Sequence, residues 1–305
     1  YGATHAFGAL VDWLALGNMW KEPHEKLVCV VEPLAPVARD TLRTQEFPFT
    51  EDVVSGTGTE LLQAFAHGIE DEDERRAVAA LRGALRRDVS LEELELAFSR
   101  SALSHYADFG HSLIYTQKLF RCIDVLGSSV AEPLLSSLAR SLVYATREEQ
   151  IPEFRGYRDA LAAFGNGRSD VPEPLAFDNL GIDAALKLVV DHSGAGSEAL
   201  YDCLFRALCR RLYHFDVAVM HRTDNAVADN VGWLDLTHGI TFAGAVRAQA
   251  QKFPELWPAG LLQIGPLVLR DHRDNARVVD HLEVDHDMAR ALHNADAVVV
   301  AEREH

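Results

Sequence analysis

Along nearly the whole chain, apolar residues recur three and four positions apart, and the every-second-residue alternation of a half-buried strand is scarce. Leu91, Leu94, Leu96, Phe98 and Leu103 show the spacing in one stretch, and Leu200, Leu204, Leu208 and Leu212 in another. The periodicity predicts an all-α fold, a multi-helix bundle. With 305 residues, 48% of them hydrophobic, such a bundle is large enough to bury one core or two fused halves and to enclose a cavity.

Two stretches interrupt the pattern, Phe47 to Gly58 and Gly165 to Pro174, the second reading FGNGRSDVPEP with its preceding Phe164. The second divides the chain into pseudo-repeat halves of about 1–165 and 175–305, within a single helical domain. Asp108-Phe-Gly-His111-Ser-Leu-Ile-Tyr115 in the first half matches Asp235-Leu-Thr-His238-Gly-Ile-Thr-Phe242 in the second. In both, an Asp stands three residues before a His and an aromatic four residues after it. Each follows a Leu/Ala-rich helix that ends in a further histidine, His105 or His214, and each precedes a proline-started segment, at Pro133 or Pro254. A fainter third copy opens the chain at Thr4-His5 and lacks the Asp. The expected architecture is therefore a bundle of duplicated helical units, with this third partial copy, around a central histidine-lined cavity.

Charge and cysteine content narrow the partners. The 29 basic and 46 acidic residues give a formal charge of −17, which repels nucleic-acid phosphates and anionic lipid surfaces. Cys29, Cys122, Cys203 and Cys209 form no CxxC pair and read as reduced core thiols. No apolar run reaches the roughly 20 residues that span a bilayer, and no basic segment precedes a cleavage site, so a cytoplasmic protein is expected. The first residue is Tyr1 rather than Met, which suggests a domain of a longer polypeptide.

Histidine carries the chemistry. On a helix, Asp108 and Asp235 share a face with His111 and His238, where a carboxylate can hold one ring nitrogen and leave the other for a metal or a proton. His111, His238, Asp108 and Asp235 are the catalytic candidates. Tyr115 and Phe242, one turn beyond the histidines, are candidates to wall a flat apolar substrate or to serve as plain core. Lys118, two turns after His111 in an apolar stretch, is a candidate for neutralisation by burial or carboxylation, or for a snorkelling side chain. His214 and His221 bracket Asp216 in a polar insertion that reads as a lid or a solvated connection. His67 and His192 read as caps, and His281, His286, His293 and His305 as surface residues. No phosphate-binding Gly-rich loop, GxSxG elbow, HExxH or paired Glu-x-x-His motif is present.

At Asp108-Phe-Gly-His111-Ser-Leu-Ile-Tyr115-Thr and Trp233-Leu-Asp-Leu-Thr-His238-Gly-Ile-Thr-Phe242-Ala, the chain resembles the questin-oxidase-like group. It is particularly similar to the helical region that follows a Rieske iron-sulfur domain in some bacterial proteins. The resemblance implies non-haem iron (Fe2+) held by several histidines with a carboxylated lysine as an extra ligand, and oxidative cleavage of polyketide anthraquinones. Carried onto this chain, it implies metal ligation by His111 and His238, by His5 through its own motif, by His214 and His105 through the repeat, and by Lys118 through spacing. A set of neutral imidazoles suits ferrous iron and leaves positions open for dioxygen and substrate.

The leading expectation is a non-haem iron oxygenase acting on an apolar, aromatic, quinone-type small molecule, with an upstream Rieske or other electron-donor domain as a partner. The rival is a metal-free helical-repeat module that docks such a domain, its histidines satisfying buried hydrogen bonds. A third reading keeps the cavity as a small-molecule site without turnover.

Overall fold

The computed structural model describes residues 2–42, 47–107, 109–147, 155–178, 180–215 and 233–268, apart from the side chains of Trp233 and Asp235. Among these residues there are twelve α-helices and no strand. They are α1 (His5–Met19), α2 (Pro23–Leu42), α3 (Gly58–Glu70), α4 (Glu74–Arg86), α5 (Leu91–Ser104), α6 (His111–Leu126), α7 (Ala131–Val143), α8 (Tyr157–Ala163), α9 (Ile182–Asp191), α10 (Ser197–Tyr213), α11 (Trp233–Lys252) and α12 (Trp257–Leu267).

Local chemistry sets the helix starts. Thr57 and Ser90 each accept a hydrogen bond from the backbone N–H three residues on, while Glu60 and Glu93 reach back to the cap N–H. These two capping boxes satisfy donors that the first turns of α3 and α5 cannot pair internally. Asp73 accepts from Arg76 N–H in the same way at the start of α4. Both interruptions read from the sequence join helices: residues 47–57 lead into α3, and residues 164–173 lie between α8 and a single 3₁₀ turn at Pro174–Phe177.

The runs α4–α7 and α9–α12 share an order of contacts: α4 packs on α7 and α9 on α12, with α5 on α6 and α10 on α11 between them. A single 3₁₀ turn, Ser128–Val130 or Pro254–Leu256, precedes α7 and α12 alike. His105 caps the end of α5 and His214 the end of α10.

In the first half the core centres on Leu61, Phe65, Leu94 and Phe98, all buried, with the Phe98 ring 4.5 Å from Phe65 and 5.7 Å from Phe120. Each such ring, taken from water, contributes roughly 1.5–3 kcal/mol. Leu186, Val189, Leu204 and Leu261 do the same in the second half. A buried polar network ties α5 to α11: Ser99 donates to Gln249 Oε1 (2.9 Å), and Glu95 accepts from Gln249 Nε2 (2.8 Å) and Lys252 Nζ (2.6 Å). Every one of these polar groups has a partner, which is what makes their burial tolerable.

α6 packs between α1 and α11. That placement sets the site, because each of the three helices carries one of the singled-out histidines. No helix among the described residues is long and apolar enough to cross a membrane.

Candidate metal centre

His5 is the first residue of α1, and three contacts hold it there. Ala3 N–H donates to the Ser137 carbonyl of α7 (3.1 Å), and Ser141 Oγ donates to the Ala3 carbonyl (3.3 Å). Thr4 Oγ1 donates to Asp40 Oδ2 near the end of α2 (2.7 Å). The strand-like approach of residues 2–4 to α7 is close, since a Cβ on Gly2 would stand 2.2 Å from Ser141 Oγ.

His111 is the first residue of α6. The turn before it is left-handed: Ala107, Phe109 and Gly110 have φ of 52°, 44° and 83°. At Gly110 only glycine fits, because a Cβ would stand 2.0 Å from the Phe242 ring at a φ that L side chains avoid. Phe242 is fully buried, with its ring 5.5 Å from that of Tyr106. Of the two readings open for Phe242, substrate wall or plain core, its place is in the core, beneath the α6 turn.

His238 sits one and a half turns inside α11 rather than at its start, so only two of the three histidines lead their helices. Its ring lies 5.1 Å from that of Phe109, at a tilt of 32°.

The three rings converge. His111 Nε2 is 3.1 Å from His5 Nε2 and 3.1 Å from His238 Nε2, and one nitrogen from each ring lies within 4.8 Å of the others. The opposite nitrogens are engaged. His111 Nδ1–H donates to the Ala107 carbonyl (3.1 Å), and His238 Nδ1–H donates to the Leu234 carbonyl. His5 Nδ1 pairs with the Tyr115 hydroxyl at 3.2 Å. A carbonyl only accepts, so His111 and His238 carry their protons on Nδ1 and turn bare Nε2 lone pairs toward each other. Two lone pairs at 3.1 Å repel unless a cation lies between them. An ion about 2.1 Å from each nitrogen spaces adjacent ligand nitrogens at roughly 3.0–3.4 Å, so the observed separations fit a bound metal.

The donor set is three imidazoles, without a carboxylate among the described residues. His5 is exposed and the other two are half-buried, so the cluster opens to solvent at the N-terminal ends of α1 and α6 rather than lining a cavity sealed in the bundle. Partial desolvation of its ring and the neighbouring His238 hold the His5 imidazole below the usual histidine range. Burial and Asp40 push the Tyr115 phenol up to about 12, so it stays protonated at neutral pH.

The remaining candidates lie elsewhere or have other partners. Lys118 Nζ donates to Asp12 Oδ1 of α1 (2.6 Å), two turns along α6 from His111. His105 is buried and its Nε2 pairs with Glu70 (3.2 Å), whose carboxylate also takes Arg147. His214 stands at the end of α10 with its ring edge against Tyr213, and burial together with Arg210 lowers its pKa. Neither His105 nor His214 joins the triad. α6 begins at His111; Asp108 and the Asp235 side chain, the carboxylates expected beside His111 and His238, lie outside the described residues, as does the Asp216–His221 insertion. His192 caps α9 as expected, with Nδ1 donating to the Asp170 carbonyl (2.8 Å).

Two roles were missed in the sequence. Tyr115 is buried and pairs its hydroxyl with His5. Phe109, half-buried, stands beside the rings of His238 and His111. Its only sequence signal is its place between an Asp and a Gly, a turn-prone setting.

No protein-family model, no curated protein and no solved structure matches the chain.

Proposed function

We propose that this chain is a non-haem iron oxygenase acting on an apolar, aromatic small molecule of quinone type, with one ferrous ion held by Nε2 of His5, His111 and His238. The observation that carries the reading is the convergence of three imidazole nitrogens whose opposite ring nitrogens are already hydrogen-bonded. Such outer partners fix each ring's orientation, as expected of metal-binding histidines.

Imidazole ligands suit zinc, copper, iron and nickel alike. Iron and the quinone-type substrate come from the resemblance of the two His-containing segments to the questin-oxidase-like group. When bound, ferrous iron supplies the activation of dioxygen that ring oxidation requires. The protein's own contribution is positional. Three ligands leave coordination positions open, and the exposure of His5 leaves a path to them. The Phe109 ring offers a flat apolar face to an aromatic substrate beside His238. Free thiols at Cys29, Cys122 and Cys203 suit a reducing cytoplasm, and an upstream Rieske-type domain would supply electrons.

Tag-free protein loaded anaerobically with ferrous iron and desalted tests the reading. The expected result is one iron per chain, lost in His111→Ala and His238→Ala, with oxygen uptake on addition of anthraquinones. Iron without oxygen uptake would discard the substrate class and keep the metal centre. Failure of the wild type to retain any divalent transition metal would leave the metal-free docking module.

A further inference from the structure

We infer that Tyr115 is a positioning residue whose hydroxyl accommodates the His5 proton on either ring nitrogen, and so makes His5 the adjustable ligand of the triad. In one of its two arms the inference rests on the proposed metal centre; the other concerns the metal-free protein alone.

The three histidines have unlike partners at Nδ1. Carbonyls hold His111 and His238, and a carbonyl only accepts, so both rings keep the proton on Nδ1 whether or not a metal is present. His5 faces a hydroxyl, which donates and accepts with equal ease. Without a metal, the bare Nε2 of His111 lies 3.1 Å from His5 Nε2 and calls for a donor. His5 supplies it with the proton on Nε2, and its bare Nδ1 accepts from the Tyr115 hydroxyl. With a metal on Nε2, that proton goes to water, a proton is taken up at Nδ1, and Nδ1–H donates to the Tyr115 oxygen. The proton count of the ring is unchanged, and only a hydroxyl rotates.

The hydroxyl is held in place to do this. Tyr115 lies one turn past His111 on α6 and is buried, and its ring presses on α1 at Gly8, where a Cβ would stand 3.2 Å from Tyr115 Cδ1. The same α1–α6 contact that brings His5 to His111 therefore brings the phenol to His5.

Long-range 1H–15N correlation spectra of the full chain, at about pH 8 where histidines are neutral, report the protonated nitrogen of each ring. In the wild type, His5 is expected to carry its proton on Nε2 without metal and on Nδ1 with zinc, while His111 and His238 keep theirs on Nδ1 throughout. In Tyr115→Phe the metal-free His5 keeps its proton on Nε2, facing His111, while zinc affinity falls about 10- to 100-fold because Nδ1–H has lost its acceptor. The same His5 tautomer in both wild-type states would overturn the inference, and so would a Tyr115→Phe protein unchanged in zinc affinity. The wild-type pair of spectra decides the exchange without any variant. If zinc does not bind the wild type, the metal centre fails on its own account, whereas a metal-free wild-type His5 protonated on Nδ1 overturns the inference whether or not zinc binds.

Discussion

His5 and His111 each begin a helix, and their Nε2 atoms stand 3.1 Å apart because α1 and α6 run side by side and parallel at an offset of 106 residues. Two turns further on, the same offset sets Asp12 against Lys118 at 2.6 Å. The ion pair thus marks the register that the histidines need, on a lysine that the resemblance made a ligand.

Lys118→Met should accordingly keep full metal stoichiometry. Asp12 is half exposed, and pairs of this kind contribute about 0.2–1 kcal/mol, so a urea titration should show only that loss. Metal content reduced as severely as in His111→Ala would return Lys118 to the ligand set.

Gly110→Ala should be far more damaging. The new Cβ meets the Phe242 ring at 2.0 Å, on a backbone at φ +83°. Left-handed strain and overpacking together cost about 2–4 kcal/mol. Adding Phe242→Leu removes the collision and leaves the strain, so a double-mutant cycle on thermal stability should show positive coupling between these two sites. Strict additivity would mean that Phe242 does not support the turn.

The fold was legible because helical periodicity is local: α5 and α10 declare themselves in their leucines, and the 3₁₀-plus-helix element after each histidine helix in its proline. The triad was legible in part, since His5, His111 and His238 each stand in a related motif. Spacing along one helix says nothing about the neighbouring helix, which is why Lys118 pointed toward the cluster in sequence and meets Asp12 in space. It is also why His105, alike in sequence to a ligand, turns out to pair with Glu70 of α3. The strained turn at Ala107, Phe109 and Gly110, which starts α6 at His111, could not be read at all, because a positive φ at an alanine and a phenylalanine leaves no mark in residue type.

Acidification should destabilise the metal-free protein well before its carboxylates are titrated. His5 and His214 both have folded pKa values below the ordinary histidine value, by burial first and then by His238 and Arg210 respectively. The unfolded chain therefore binds more protons, and stability falls as the pH drops through the unfolded value of about 6.5. Asp124 acts in the opposite sense, since burial and Glu95 raise its carboxyl. Comparing melting temperatures at about pH 7.5 and 5.5 in wild type and His5→Asn isolates the histidine contribution. The variant should show the smaller drop, and an equal drop in both would remove His5 from the account.

Gln249→Leu should cost about 1–3 kcal/mol, because it deprives buried Glu95 and Ser99 of a partner at once. The measurement is chemical denaturation, with Ser99→Ala as the milder comparison. If the two variants were equally stable, Gln249 would not be the centre of the network that joins α5 to α11.

Phe109 combines two effects that substitutions can separate. Its φ of 44° is a conformation that glycine adopts freely and phenylalanine does not, while its ring flanks His238 at 5.1 Å. Phe109→Gly removes the strain and the ring together; Phe109→Ala removes the ring and keeps the strain. Relative to Phe109→Ala, the glycine variant should be more stable by about 1–2 kcal/mol. Both should bind metal with wild-type stoichiometry, because neither touches an Nδ1 partner of the triad by its side chain. Both should weaken the binding of an aromatic ligand to the loaded protein, followed by ligand-induced spectral change. Undiminished ligand binding in both would leave Phe109 as a support for the His238 ring alone, and would move the substrate surface to another side of the cluster.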